Sequence, residues 1–286
     1  MSDVHFNLQG KRYTRSDYFP SDKVPNVCFD DWTRPCVIEE LPNPYYGKSP
    51  VLSDGELWRH HDWCQELIDN NQFHETYAYR VETILATIDN HMRSSGIMSK
   101  LPDMTVCDLA CSVGFTSIKC IRDGAKQVDA FDINMNELER FQKAAASLWI
   151  HQVRFLHADL EHPLWSLAVG TYQLVFCLGI LYHTESPLLF MRNLYRTTGK
   201  YCYLETDSYP LMWPDGNRAV VNLERSGVTL RPGQVRYVLE QRPSHEAVVE
   251  LAMTAGFTSI EHLPPVGEDK TGYYTTGVKS VFFLRK

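Results

Sequence analysis

Between residues 104 and 206, short apolar runs alternate with stretches of helical period, and this alternation restricts the chain to a small group of folds. MTVCDL, QVDAF, VRFLHA, YQLVFCL and KYCYLET read as strands, while Thr116 to Arg122, Asn136 to Leu148 and Pro187 to Arg196 read as helices. Strands separated by helices of about ten residues form βαβ units, which predicts a mostly parallel sheet covered by helices on both faces. Downstream, RPSHEAVVELAMTAGF carries Ser244 as an N-cap and Gly256 as a C-cap around one apolar face. Two further β-type runs, TSIEHL and VKSVFFL, bring the predicted strand number to seven.

The flanks have a different texture. Residues 1 to 55 hold many Pro, Asp and aromatic residues with no sustained period, which predicts an irregular arm. From Leu57 to Met92 apolar residues recur at three and four, fitting two helices broken near Asn70-Asn71. The stretch from Asp207 to Arg242, with Pro210, Pro214, Gly216, Gly227 and Gly233, reads as an insertion over the carboxyl edge of the sheet. The expected organisation is an N-terminal helical arm over residues 1–74 and a catalytic domain over 75–286, with the insertion at about 207–242. Aromatics of the arm and insertion, among them Tyr45, Tyr46, Trp58, Tyr79, Tyr209 and Trp213, are candidates for a lid that excludes water.

Composition narrows the function. Twenty-eight Lys and Arg stand against 35 Asp and Glu, a net charge of −7, so the surface repels phosphate backbones and anionic headgroups. Nucleic acid and membrane are therefore disfavoured as partners. Eight cysteines with no CxxC pair, several inside apolar runs, read as reduced buried thiols suited to the cytoplasm. The N-terminus lacks the apolar core of a secretory signal, and the longest apolar run, Tyr172 to Tyr182, is half of the roughly 20 residues needed to span a bilayer. His60-His61 diverge in direction on a helix, so no metal is expected.

The chemistry concentrates at strand ends. VCDLACSVGF, residues 106–115, is an apolar strand ending near Asp108, followed by a turn of small residues from Ala110 to Gly114 and then a helix. Ligands bind beyond the carboxyl ends of strands in open α/β sheets, where small residues let the backbone come close. Asp132 ends the next strand, 18 residues after Gly114, placed to accept hydrogen bonds from both hydroxyls of a ribose. Asp159 ends the third and suits an adenine amino group. Tyr182 and His183 follow the fourth, the first suited to a cation-π contact and the second to proton removal. Glu205 and Asp207 follow the fifth as candidates to hold a substrate amine, and Arg80, Arg231 and Arg236 as candidates to grip a carboxylate. The absence of GxGxxG and of a Walker loop argues against nicotinamide and ATP chemistry.

In order and spacing, VCDLACSVG, VDAFDIN, FLHADL and YQLVFCLGILYH resemble the class I S-adenosylmethionine-dependent methyltransferases. CLGILYHTESPLLFMRNL, YLET and RPSHEAVVELAMTAGF are similar to the group that includes the transfer-RNA wobble-uridine carboxymethyltransferase and related small-molecule methyltransferases. The resemblance covers about residues 75 to 285 and implies a Rossmann-like α/β fold with S-adenosyl-L-methionine as cofactor. It implies that Asp108, Ala110, Ser112 and Gly114 surround the methionine part, Asp132 with Ile133 the ribose, and Asp159 with Leu160 the adenine. Leu178 and Tyr182 would line the sulfonium side. Ala110 and Ser112 stand where the family usually has Gly, and Gln173 where Asp is common.

The expected activity is methyl transfer to a small polar, amino-acid-like metabolite. Tyr182, His183 and Glu205 are the candidate catalytic residues, and Tyr77, Arg80 and Arg236 the candidate substrate contacts. A homodimer is a further expectation. The alternatives are attack on the cofactor's γ-carbon with release of methylthioadenosine, transfer-RNA modification, and a noncatalytic cofactor-binding module.

Overall fold

The computed structural model describes residues 6–8, 11–13, 36–42, 75–208, 219, 221–231 and 234–286, with backbone only at 6–8, 11–13, 75–78 and 147 and over most of 222–239. The predicted helix before Asn70 and the lid aromatics Tyr45, Tyr46, Trp58, Tyr209 and Trp213 lie outside the described residues, as do the side chains of Tyr77, Arg231 and Arg236. Two compact units are present, Met1–Pro35 and Cys36–Lys286. In the first, β1 (Phe6–Leu8) pairs antiparallel with β2 (Lys11–Tyr13).

The second unit is built on one sheet. Its strands are β3 (Glu39–Leu41), β4 (Val106–Leu109), β5 (Val128–Asp132), β6 (Val153–His157), β7 (Tyr172–Leu178), β8 (Thr198–Asp207), β11 (Ser259–Leu263) and β12 (Lys279–Arg285), in the order β11-β12-β8-β7-β4-β5-β6-β3. The central five are parallel, and β12, β11 and β3 join antiparallel. The chain lays strands outward from β4 to β6, then returns to place β7 on the other side of β4. That reversal opens a crevice beyond the carboxyl ends of β4 and β7, where such sheets bind ligands.

Strand periodicity divides the core between the faces. On β7, Leu174 and Phe176 pack with Ile84, Ile88 and Met92 of α1 (Glu75–Ser94). Val175 and Cys177 pack on the opposite face with Phe190 and Leu194 of α5 (Pro187–Thr197) and Val248 of α6 (His245–Ala255). Helices α2 (Phe115–Arg122) and α3 (Met135–Ser147) bury Ile118, Leu138 and Phe141 against Phe155. Ser244 Oγ accepts the Ala247 N–H at 3.3 Å and Gly256 closes α6, as their types predict.

The sheet has eight strands, not seven. The additional one, β3, comes from the arm and covers the open edge of β6, where the Arg154 guanidinium forks onto Glu40 at 2.8 and 3.2 Å. Three residues with exposed glutamates carry no readable alternation, which is why the pattern missed it. The five-residue helix α4 (Trp165–Val169) also escaped, being too short to show a period. The insertion contains a long antiparallel hairpin, β9 (Val221–Arg231) with β10 (Gln234–Pro243), outside the main sheet. Its base reaches the carboxyl edge, where the Gln241 side chain donates to the Glu185 carbonyl at 2.8 Å. Among the described residues, no helix is long and apolar enough to cross a membrane.

Candidate cofactor and acceptor site

Beyond β4 the backbone turns sharply. Ala110 (φ 58°), Ser112 (φ 50°) and Gly114 (φ 80°) are all left-handed, and the turn is pinned by Cys111 N–H to Phe131 O at 2.9 Å and Gly114 N–H to Cys111 O at 2.8 Å. A left-handed conformation costs a residue with a Cβ about 1–2 kcal/mol. Replacing Ala110 by Gly is therefore expected to stabilise the fold by about 1 kcal/mol, after the greater freedom of glycine in the unfolded chain is subtracted. Denaturant melts of Ala110→Gly check this, and a loss of stability would show that the Ala110 side chain is needed for packing.

Three strand-end carboxylates surround the turn. Asp108, at the end of β4, accepts from Ser117 Oγ at 2.7 Å and from the Ser117 N–H at 3.1 Å, tying the start of α2 to the sheet. Asp132 accepts the Ser112 N–H at 2.8 Å and the Asn134 N–H at 2.7 Å. Asp159 accepts the Glu161 N–H at 2.9 Å. Burial raises Asp108 to about 7 and Asp132 to about 6, against the hydrogen bonds that favour their ionised forms.

These groups open into one cavity of about 390 Å³. Of the predicted cofactor contacts, Asp108, Ala110, Ser112, Asp132 and Ile133 line one side of it, and Asp159, Leu160, Leu178 and Tyr182 also line it. Arg80 of α1 and His183 line it as well.

Gly114 is not in the lining. Its backbone packs on the Phe141 ring, so its role is to let α2 and α3 approach. Glu205 is not in the lining either. It is fully buried, accepting from Tyr274 Oη at 3.0 Å with Lys279 Nζ at 3.8 Å. It stands behind Gly179, its Oε2 3.5 Å from the point a Cβ there would occupy.

Sequence reasoning missed Glu137 and Glu161, both in the lining. Glu137 follows the N-cap Asn134 by three residues and takes the Ser112 Oγ hydrogen bond at 3.4 Å; the Asx-x-x-Glu spacing of a capping box was the available signal. Among the described residues, five carboxylates thus line the cavity, and its basic side chains are Arg80 and His183.

At the β7 end the Tyr182 and His183 rings lie 4.1 Å apart, and Lys279 Nζ stands 5.0 Å from the Tyr182 ring centroid. Lys279 also bonds Asp207, and burial lowers its amine to about 8. His183 Nδ1 is 3.0 Å from Glu240 Oε1, on β10 of the hairpin. Burial lowers the His183 pKa, with Glu240 opposing and Lys279 and Arg80 reinforcing the shift.

Residues 106–200, from β4 into β8, match the protein family described as a methyltransferase domain. That segment resembles a methyltransferase domain. The magnesium protoporphyrin IX methyltransferase of Synechocystis PCC 6803, solved with bound S-adenosylmethionine, has the same fold, at 18% identity and a TM-score of 0.52 over 84% of this chain and 100% of that one. The N-terminal domain of EvdMO1, solved with S-adenosylhomocysteine and D-fucose, aligns at 19% identity and a TM-score of 0.50 over 68% of this chain and 81% of that one.

By sequence, part of the chain is similar to tRNA U34 carboxymethyltransferases. The Helicobacter pylori (strain G27) protein is 29% identical over 96 residues, 33% of this chain and 36% of the relative. The Shewanella loihica protein is 33% identical over 141 residues, 46% of this chain and 38% of the relative. The matched part thus spans little more than a third of those relatives' length.

Proposed function

We propose that the chain is an S-adenosylmethionine-dependent methyltransferase acting on a small polar metabolite. The observation that carries this is the charge of the cavity, five carboxylates around a space of about 390 Å³ in a domain of methyltransferase fold. S-Adenosylmethionine brings a sulfonium and an ammonium against one carboxylate, so an acidic lining suits it, whereas a nucleotide phosphate would be repelled. The residues fit the group. Asp132 is placed to accept from the ribose hydroxyls, Asp159 and Leu160 to hold the adenine, and Asp108 and Glu137 to offset the positive charge of the methionine end.

Bound there, the cofactor supplies an electrophilic methyl group. The chain's part is to align an acceptor and exclude water. Arg80, Tyr182 and His183 face the cavity from α1 and from the turn after β7, and they form the acceptor side. Arg80 is suited to orient a carboxylate of the acceptor. The relatives' name favours transfer-RNA modification as a second reading, while the net charge of −7 weighs against it.

Mass spectrometry of the protein incubated with S-adenosylmethionine separates these, run alone, with pooled small metabolites and with bulk transfer RNA. Adenosylhomocysteine formed only with the metabolite pool is the expected result. Adenosylhomocysteine formed only with RNA would select the second reading. Methylthioadenosine released with no acceptor would mean attack on the γ-carbon and overturn both.

A further inference from the structure

We infer that the insertion hairpin completes the catalytic site. In this reading, which rests on the methyl-transfer function above, Glu240 fixes His183 as the base that takes the proton of a hydroxyl acceptor. The elements involved lie far apart in the chain. His183 sits in the 3-10 turn Leu181–His183 that follows β7, and Glu240 sits on β10. The Glu240 side chain is almost fully buried, and its Oε1 meets His183 Nδ1 at 3.0 Å. Its other oxygen is 3.5 Å from the Arg242 guanidinium, which holds the carboxylate in place.

A carboxylate 3.0 Å from Nδ1 favours the tautomer protonated there, which leaves the Nε2 lone pair as the acceptor. His183 Nδ1 faces the Glu240 oxygen at ion-pair distance without full hydrogen-bond alignment; among the described residues nothing hydrogen-bonds Nε2, and the ring lines the cavity with a third of the side chain exposed. This arrangement has the parts of a base and its orienting acid, positioned where the acceptor would lie.

The surroundings select the acceptor. Besides Glu240, the charged groups acting on the His183 ring among the described residues are Lys279 of β12 and Arg80 of α1, both cations, with the Tyr182 ring tilted at 44° beside it. Beside the ring, these two cations favour an acceptor oxygen that gains negative charge as it loses its proton. A thiol ionises near neutral pH without help, whereas a hydroxyl does not, so only the hydroxyl needs this base. In the transfer, the acceptor oxygen bonds to the methyl carbon with its own lone pair. The carbon–sulfur bond breaks with its electron pair left on sulfur, and the hydroxyl proton passes to His183 Nε2. The products are a methyl ether, adenosylhomocysteine and an imidazolium, whose proton leaves to solvent.

Glu240 acts through His183, so it is a positioning residue, and its test reads the imidazole directly. In the full chain labelled with 15N-histidine, NMR should show His183 protonated on Nδ1 and bare on Nε2 at pH 8. Glu240→Gln should lower the His183 pKa by about one unit and mix the tautomers, since it removes an opposing charge without changing shape. Binding of adenosylhomocysteine, followed by calorimetry, should be the same in wild type and Glu240→Gln. With methyl-labelled S-adenosylmethionine and a pooled metabolite extract, label should appear in methyl ethers. Glu240→Gln should then lower kcat about 100-fold with KM unchanged and move the acidic limb of the kcat profile to lower pH.

A His183 found bare on Nδ1, a tautomer and pKa unchanged in Glu240→Gln, or label confined to amines and thiols would each overturn the assignment. Failure of wild type to bind adenosylhomocysteine would instead strike the cofactor reading, and the NMR result would still decide whether the dyad exists.

Discussion

Gly114→Ala is expected to destabilise the domain by about 3–5 kcal/mol, from a left-handed backbone bearing a Cβ and an overlap in a filled core. Gly114 has φ 80°, and a Cβ there would run into three ring atoms of Phe141. Phe141 has no room to withdraw. It is fully buried on α3, with Phe155 edge-on at a centroid distance of 4.9 Å. Domains of this kind are stable by about 5–15 kcal/mol in total, so the variant should lose much of its cooperative melt or express as aggregate.

A second substitution separates strain from overlap. Phe141→Leu alone should cost about 1–2 kcal/mol, yet in the Gly114→Ala background it should restore stability, a coupling that double-mutant melts measure. A Gly114→Ala protein that melts within about 2 °C of wild type would show that α2 and α3 do not pack as described.

What the sequence made legible follows what the physics makes local. The strands β4 to β8 and the helices between them show because each buries a face of its own, and Ser244 and Gly256 show because caps act within one turn. Asp108, Asp132 and Asp159 were readable as strand-end acids, since the carboxyl edge of a parallel sheet gathers such residues. Gly114 was placed correctly in the turn, but the ring that demands it comes from α3 and leaves no mark near it in the sequence. Glu205 read as a pocket residue because it ends a strand; its placement behind Gly179 depends on Tyr274 and Lys279, contributed from the last part of the chain. Glu240 had no signal. An acid in a strand of an insertion is ordinary until the fold sets it against a histidine from another element.

Asp132→Asn should weaken binding of adenosylhomocysteine about 10- to 100-fold, the loss expected when hydrogen bonds to a charged acceptor become bonds to a neutral one. Asp132→Ala should do more damage, because it also leaves the half-buried Ser112 and Asn134 N–H groups without their acceptor. The pH dependence gives the sharper test. Burial raises Asp132 to about 6 and Asp108 to about 7, both above their ordinary carboxylate values. A raised carboxylate pKa means that the folded protein without ligand holds these protons more tightly than the unfolded chain. The stability they contribute is therefore present below about pH 4 and lost as pH rises through about 6 to 7.

Cofactor binding has the opposite sign. The ribose needs Asp132 as an ionised acceptor and the cationic end favours an ionised Asp108, so affinity should rise from pH 5 to 8. Thermal melts with and without S-adenosylmethionine should thus diverge as pH increases, the liganded protein gaining on the free one. Asp132→Asn should flatten the rise near pH 6 and leave the contribution of Asp108 near pH 7. A wild-type affinity independent of pH across this range would mean that the strand-end carboxylates do not hold the cofactor.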